Sequence, residues 1–404
     1  MATDTRRIDL LSASSYTSGQ PHDQFDWLRE NDPVHWHAEP GGPGFWAVTG
    51  YSDVRAVSRD TTTFSSTGTI LINDETVLEI DGRQMMLTLD PPGHTSWRRL
   101  ANLDFRPPAV RDIGPRLQEL VTLIVDDVIE RGECDLVTDV AGLLPSYVIA
   151  EVLGIPHSEG VRLYQLTEII HSSPEVLPPD AIPNAIQDMV AYGSELFEQR
   201  RKDPGTDIVS RLAGSELDGR PVDAIDFAMF FTLLVDAGGD TTRNLVSGGM
   251  QALFEHPEQR AWLESDLGRL PTAVEELLRW VSPVIYMRRT ATVPTTLAGA
   301  RIAAGDKVVT YFGSANRDSA VFDRPHELDL ARRPNEHIAF GGGGPHFCMG
   351  AQLARLEIRL MLAEILTRMP DIAPAGDVEW LPSSFISGPK HQPVRFTPGR
   401  RSRA

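Results

Sequence analysis

Cysteine is almost absent from this chain. Its 404 residues include two, Cys134 and Cys348, far apart in sequence. That argues against a disulfide-stapled scaffold and fits a reducing cytoplasm. Long apolar runs are missing too: nothing approaches the roughly 20 residues that span a bilayer. The N-terminal MATDTRRIDL lacks the apolar run of a signal peptide. The expectation is a soluble, cytoplasmic protein with no membrane span. Positive charge is the third shortage. Lys and Arg number 38 against 56 Asp and Glu, a formal net charge of −18. Phosphate would be repelled, so nucleic acid is disfavoured as a partner.

What the chain does hold is apolar residues, 41% of the total, enough for a large core. No repeat, low-complexity linker or composition shift marks a boundary, so the expectation is one domain over 1–404 with short tails. The first quarter mixes strand-like runs such as FWAVTG (45–50) with turns, and a loop-like stretch covers 65–90. Helical spacing appears at 116–132 and 146–156. Four prolines in SSPEVLPPDAIP (172–183) must interrupt helix. A long apolar helix is expected from Asp223 to Phe254, with further helices at 256–259 and 270–281. Residues 284–312 alternate as strands, with Gly299 and Gly305 at turns, and an amphipathic helix closes the pattern at 351–369.

The sharpest motif is AFGGGGPHFCMGAQLAR (339–355), a glycine-rich loop that delivers Cys348 just before a helix. Unpaired N–H groups and the positive end of the helix dipole stabilise a thiolate. Gly350 would let the chain turn beneath the sulfur, and the other glycines would let backbone approach a flat cofactor. A buried structural cysteine, or a nucleophile beside His346, are the other readings of this loop.

These residues resemble the proximal loop of the cytochrome P-450 family. There a glycine stands four residues before the cysteine, a basic residue two before and a glycine two after; Gly344, His346 and Gly350 match. The family phenylalanine lies seven residues before the cysteine, whereas Phe340 lies one further back, so this loop has an extra glycine. Three more motifs follow the family order, and the resemblance extends from about Pro33 to Phe396. In EELLR, Glu276 and Arg279 stand one helical turn apart, ordinarily a surface ion pair of little worth. The resemblance implies instead a buried pair joined by Arg332, holding the core. In LLVDAGGDTTRN (233–244), poor helix formers sit inside the long apolar helix. A locally distorted helix beside a ligand is expected, with Asp240 and Thr241 matching the family's acid–alcohol pair that delivers protons. In DPPGHTSWRRLAN (90–102), His94 and Arg98 share a helix face. With Arg289 (rather than Arg288) of MRRTAT and with His346, they match residues that bind haem propionates.

The resemblance therefore implies a mainly α fold with small β-sheets. Haem b would lie between the long central helix and the cysteine-loop helix, with Cys348 on the iron and Phe340 against the ring. It implies a monooxygenase inserting one atom of O2 into an apolar small molecule, and a monomer. Electrons would come from a ferredoxin and its reductase, steered by the arginines of 94–116 together with Arg355 and Arg359. Details of the haem-core motifs are similar to actinobacterial hydroxylases of methyl-branched lipids and sterol side chains. The stretch 65–89, including Ile70, Leu71, Ile72, Val77, Leu78, Met85 and Met86, and the proline-rich segment would form the pocket mouth and lid. Arg83 or Lys202 would be available to a carboxylate. The alternatives are an oxidase of a carrier-bound amino acid or polyketide, and a non-catalytic haem-thiolate sensor.

Overall fold

The computed structural model describes residues 8–74, 79–170, 177–402. Val77, Leu78 and residues 172–176 of the proline-rich segment lie outside them. Thirteen α-helices occur among the described residues. These are α1 (His22–Asn31), α2 (Tyr51–Arg59), α3 (Gly93–Ala101), α4 (Pro107–Ile129), α5 (Leu143–Leu153), α6 (His157–Ile170) and α7 (Ala181–Lys202). Then come α8 (Ile208–Ala213), α9 (Ala224–Glu255), α10 (Pro257–Glu264), α11 (Leu270–Val281), α12 (Phe312–Ala315) and α13 (Ala351–Arg368). The long central helix and the cysteine-loop helix thus form within a residue or two of their expected bounds. The helix expected from 116 begins at Pro107, because prolines at the first helical positions lose no helical hydrogen bond.

The described residues group into two compact units, each assembled from three stretches of chain. The first comprises residues up to 77, 248–348 and 378–391. It is built on a five-stranded sheet of β1 (Val34–His37), β2 (Phe45–Val48), β3 (Phe64–Ser65) and the later strands 286–291 and 307–311, in the order β1, β2, 307–311, 286–291, β3. The central strand, Lys307–Tyr311, runs parallel to β2 and antiparallel to Tyr286–Ala291, with Val308 opposite both Trp46 and Arg289. Its five residues are all buried because both faces of the sheet are covered. Val308 packs with Val54, Phe322 and Ile338, and the next residue, Val309, with Phe25, Phe45 and Tyr311. Between those two long strands a small hairpin pairs Thr295–Leu297 with Ala300–Ile302, turning at Gly299 with φ +86°. Gly305, at φ +90°, begins the return to the central strand.

The second unit comprises 78–247, 349–377 and residues from 392 on. It is mostly helical: α4 packs on α13, α5 on α6, and α6 on α7. A small antiparallel sheet joins Glu133–Asp135 to Pro393–Arg395 and Ala373–Pro374. In α9 the run Phe227–Val235 is entirely buried; its one polar residue, Thr232, donates its hydroxyl to the Ala228 carbonyl at 2.9 Å. Among the described residues, no single helix is long and apolar enough to cross a membrane.

Candidate active site

In the first unit, the cysteine loop lies against the C-terminal end of α2. Gly341, Gly343 and Gly344 take φ values of +100°, +95° and +77°. Side chains there would also collide: a Cβ on Gly343 would come 2.9 Å from Arg59 Nε, and one on Gly344 2.7 Å from Ser58 O. The glycine run therefore serves a left-handed path pressed onto α2. The loop closes by a hydrogen bond from the Cys348 backbone N–H to the Phe340 carbonyl, 2.9 Å. The extra residue is thus absorbed between the two ends of one closed loop. Phe340 packs edge-on to Phe347. His346 Nε2 lies 3.1 Å from Ser66 Oγ. Cys348 is exposed. Gly350 does not play the part expected of it: at φ −78° it has a backbone any residue can adopt.

The EELLR pair is no surface bridge. Glu276 and Arg279 have no exposed side-chain area, and Arg279 donates twice to the carboxylate at 2.8 Å. Arg332 Nε donates to the same carboxylate at 3.0 Å, and the Asp329 N–H and Asn335 Nδ2 add bonds of 3.0 Å. The other guanidinium N–H groups bind carbonyls, among them Asn316, Pro325 and Glu327. A buried ionic group is tolerable when its remaining bonds are satisfied in this way.

The strand Tyr286–Ala291 separates two neighbouring arginines onto opposite faces. Arg288 holds the 71–74 segment, donating to the Leu71 and Ile72 carbonyls at 3.2 Å and pairing with Asp74. Arg289, also buried, donates to the Arg288 carbonyl at 2.8 Å. Arg288 is thus engaged within the first unit. Ile72 belongs to the unit's own core with Phe45, Tyr286 and Tyr311, so it is a packing residue rather than the pocket-mouth residue expected.

In the second unit, His94 and Arg98 lie on α3 with His94 buried. Trp97, on the same helix, stacks on Phe230 of α9 at 5.7 Å and fixes the helix. Asp240 and Thr241 lie in α9. The helix is unbroken there, so the expected distortion is not observed. The glycines have another purpose: a Cβ on Gly238 would stand 3.0 Å from Ile149 of α5, and one on Gly239 2.9 Å from Tyr164 of α6. They admit close helix packing. Thr241 Oγ1 donates back to the Ala237 carbonyl at 2.9 Å, and Ala237 is exposed between two half-buried neighbours, Asp236 and Gly238. Asp240 is buried and bound by Arg243 and Tyr164, two residues the sequence reading passed over. The signal was Gly239, whose missing side chain marks where an aromatic ring must sit. Arg83 is committed to Asp223 at 2.6 Å and to Asp226, which corrects its reading as a carboxylate anchor.

The donor chemistry suits haem. Among the described residues, no cluster of three or more His, Cys, Asp or Glu could hold a bare metal ion. A metal at a lone thiolate must bring its other donors with it, as a porphyrin does.

Comparison with known proteins decides the family. The Cytochrome P450 family model matches residues 180–370. The methyl-branched lipid omega-hydroxylase of Mycobacterium tuberculosis is 40% identical over 386 residues, covering 92% of this chain and 90% of the relative.

The chain is a cytochrome P450.

The steroid C26-monooxygenase of Mycolicibacterium smegmatis is 38% identical over 398 residues, covering 97% of this P450 and 96% of the relative. A Mycobacterium marinum cytochrome P450 solved in complex with pseudoionone superposes with a TM-score of 0.89, at 37% identity, over 96% of this chain and 98% of that one. The mainly α P450 fold with small sheets is therefore established, as is the class: a haem-thiolate monooxygenase with cysteine-ligated iron. As a bacterial-type P450 it consumes O2 and takes electrons from redox partners.

Proposed function

We propose that Cys348 is the thiolate ligand of haem b in a single P450 domain over 1–404. The enzyme hydroxylates a methyl-branched lipid, terpenoid or steroid. The observation that carries the reading is the closed glycine loop, which places an exposed Cys348 just before α13. When bound, the haem supplies the O2 activation that puts one oxygen atom into substrate. The chain's own residues do the rest. The Cys348 thiolate would hold the haem iron. His94, Arg98, Arg289 and His346 would hold the propionates by hydrogen bonds. Phe340 packs beside the ring, and Gly350 links the sulfur to its helix. Glu276, Arg279 and Arg332 keep the core rigid and take no part in chemistry.

Thr241 Oγ1 gives its one proton to the Ala237 carbonyl, which fixes the hydroxyl and leaves its lone pairs to accept from a group that carries a proton inward. Asp240 takes up and passes on protons from solvent. Support for the substrate class comes from the similarity to a methyl-branched lipid omega-hydroxylase and a steroid C26-monooxygenase. The apolar side chains within 65–89, among them Ile70, Leu71, Met85 and Met86, agree with it, since burial of apolar area contributes roughly 25 cal/mol per Å². A ferredoxin with its reductase is the electron donor, and the enzyme works as a cytoplasmic monomer. The test is spectroscopic. The reduced protein with carbon monoxide shows the strongly red-shifted Soret band of thiolate-ligated haem, and Cys348→Ala abolishes it. Retention of the band in that variant would overturn the assignment. Spectral titration with branched lipids and steroids, against an aminoacyl carrier protein, tests the substrate class.

A further inference from the structure

Asp240 is the centre of a network that no comparison assigns. Its carboxylate is buried, and Oδ1 accepts from Arg243 Nη2 at 2.9 Å and from the Tyr164 hydroxyl at 3.1 Å. Arg243 stands one turn further along α9 and is itself 9% exposed. Its other terminal nitrogen, Nη1, bonds Tyr164 and, at 3.1 Å, Glu168 Oε1. The guanidinium also lies over the Tyr164 ring, 5.5 Å from its centroid. Tyr164 and Glu168 are one turn apart on α6, and Glu168 is 51% exposed. One guanidinium is therefore shared between a buried carboxylate and one that reaches solvent. Burial and the Asp240 charge push the Tyr164 phenol far above its ordinary range, so it stays protonated and keeps donating.

Hydrogen bonds to a carboxylate favour its ionised form, and an adjacent guanidinium does so more strongly. Held this way, Asp240 is anchored towards α6 as an anion. To pick up a proton it must weaken its bond to Arg243. Among the described residues, the other carboxylate on that guanidinium is Glu168, which is open to water. The small residue at 239 is what allows this: a side chain there would push against Tyr164.

We propose that Tyr164 and Arg243 are positioning residues for Asp240, and that Glu168 governs release of Asp240 by competing for Arg243. The inference rests on the reading of Asp240 as the proton-handling acid. It makes α6 part of the proton supply, although α6 carries no residue of the acid–alcohol pair. Tyr164 acts only through Asp240, so its loss must alter proton supply while leaving haem and substrate binding intact.

The test uses the haem-loaded protein and four variants: Asp240→Asn, Tyr164→Phe, Glu168→Gln and Arg243→Lys. Three quantities are measured: the substrate dissociation constant, kcat with its solvent deuterium isotope effect, and amide hydrogen exchange across 157–170. Losing an acid–base group costs about 10²–10⁴-fold in rate, and that range is expected for Asp240→Asn. Glu168→Gln, at the surface, folds normally; its kcat falls about tenfold with a larger isotope effect and an unchanged dissociation constant. Tyr164→Phe and Arg243→Lys change kcat and the isotope effect, and α6 exchanges faster because its anchor to α9 is lost. If Asp240→Asn is slow while Glu168→Gln and Tyr164→Phe match the parent in kcat and isotope effect, the inference fails and the reading of Asp240 stands. If Asp240→Asn itself matches the parent, that reading falls. Unchanged exchange in α6 for Arg243→Lys and Tyr164→Phe would remove the anchoring claim independently of turnover.

Discussion

Glu276 and Arg332 stand 56 positions apart in the chain, yet Arg332 Nε donates to the Glu276 carboxylate at 3.0 Å. Arg279 occupies the same carboxylate, so two guanidiniums share one anion with no exposed side-chain area. Removing that anion leaves two buried cations uncompensated. Glu276→Ala is expected to cost about 3–5 kcal/mol, the range for breaking a buried ion pair from one side. Urea denaturation of the purified protein measures it, and a loss under 1 kcal/mol would show the cluster to be dispensable.

Thr241 is the second case. Its hydroxyl is already held by the Ala237 carbonyl, so its direction does not depend on substrate. Thr241→Ala is expected to keep haem and substrate binding while diverting reducing equivalents to hydrogen peroxide. Thr241→Ser retains the hydroxyl and should restore most of the coupling. Product and peroxide formed per NAD(P)H are the measured quantities. Unchanged coupling in Thr241→Ala would mean that another group places the proton.

Glu357 sits on the buried face of α13, and its Oε2 has no hydrogen-bond partner among the described residues. Burial raises its carboxyl from the ordinary 4.5 to about 8. The folded protein thus keeps a proton that the unfolded chain releases above about pH 4.5. With fewer protons bound in the unfolded state, stability falls as pH rises through this window and levels off above about pH 8. Full displacement corresponds to a penalty on the order of 5 kcal/mol. Glu357→Gln should be most stabilising, relative to the parent, at pH 8 and above, with the gain shrinking towards pH 5. Thermal unfolding of both proteins across that range checks it. A difference independent of pH would show that Glu357 is already ionised when folded.

The arginines expected to attract a ferredoxin do not all remain available. Arg116 is bound to Glu151 and Glu119, while Arg99 and Arg106 are exposed. Charge steering acts mainly on association rate and weakens with salt. Reversal at Arg99 or Arg106 should slow electron transfer from an acidic ferredoxin about tenfold at low ionic strength, and much less at high. Stopped-flow reduction at two salt concentrations is the measurement. Rates indifferent to both salt and reversal would place the docking surface elsewhere.

The sequence by itself determined the elements and the chemistry they carry. Helical spacing and apolar runs located α9 and α13 closely, because their periodicity is local and their buried faces are long. Cys348 stood out as a candidate because a glycine run, a lone cysteine and a helix start occur in adjacent positions. Glu276 and Arg279 were legible as a pair by their helical spacing, and Arg332 was attached to them only through family resemblance. Tertiary structure decided what each local oddity is for. The glycines of 238–239 read as a weak point in a helix, but they are set by Ile149 and Tyr164, which approach from α5 and α6. Gly350 looked like a turn residue, whereas the left-handed positions are Gly341, Gly343 and Gly344, pressed against α2. Arg83 looked available until its partners on the far side of a long stretch of chain were known. Each compact unit is assembled from three separated stretches, so no boundary could show in composition. Spacing along a chain reports neighbours within a turn or a strand; which distant group fills a gap or neutralises a charge is set only when the chain folds.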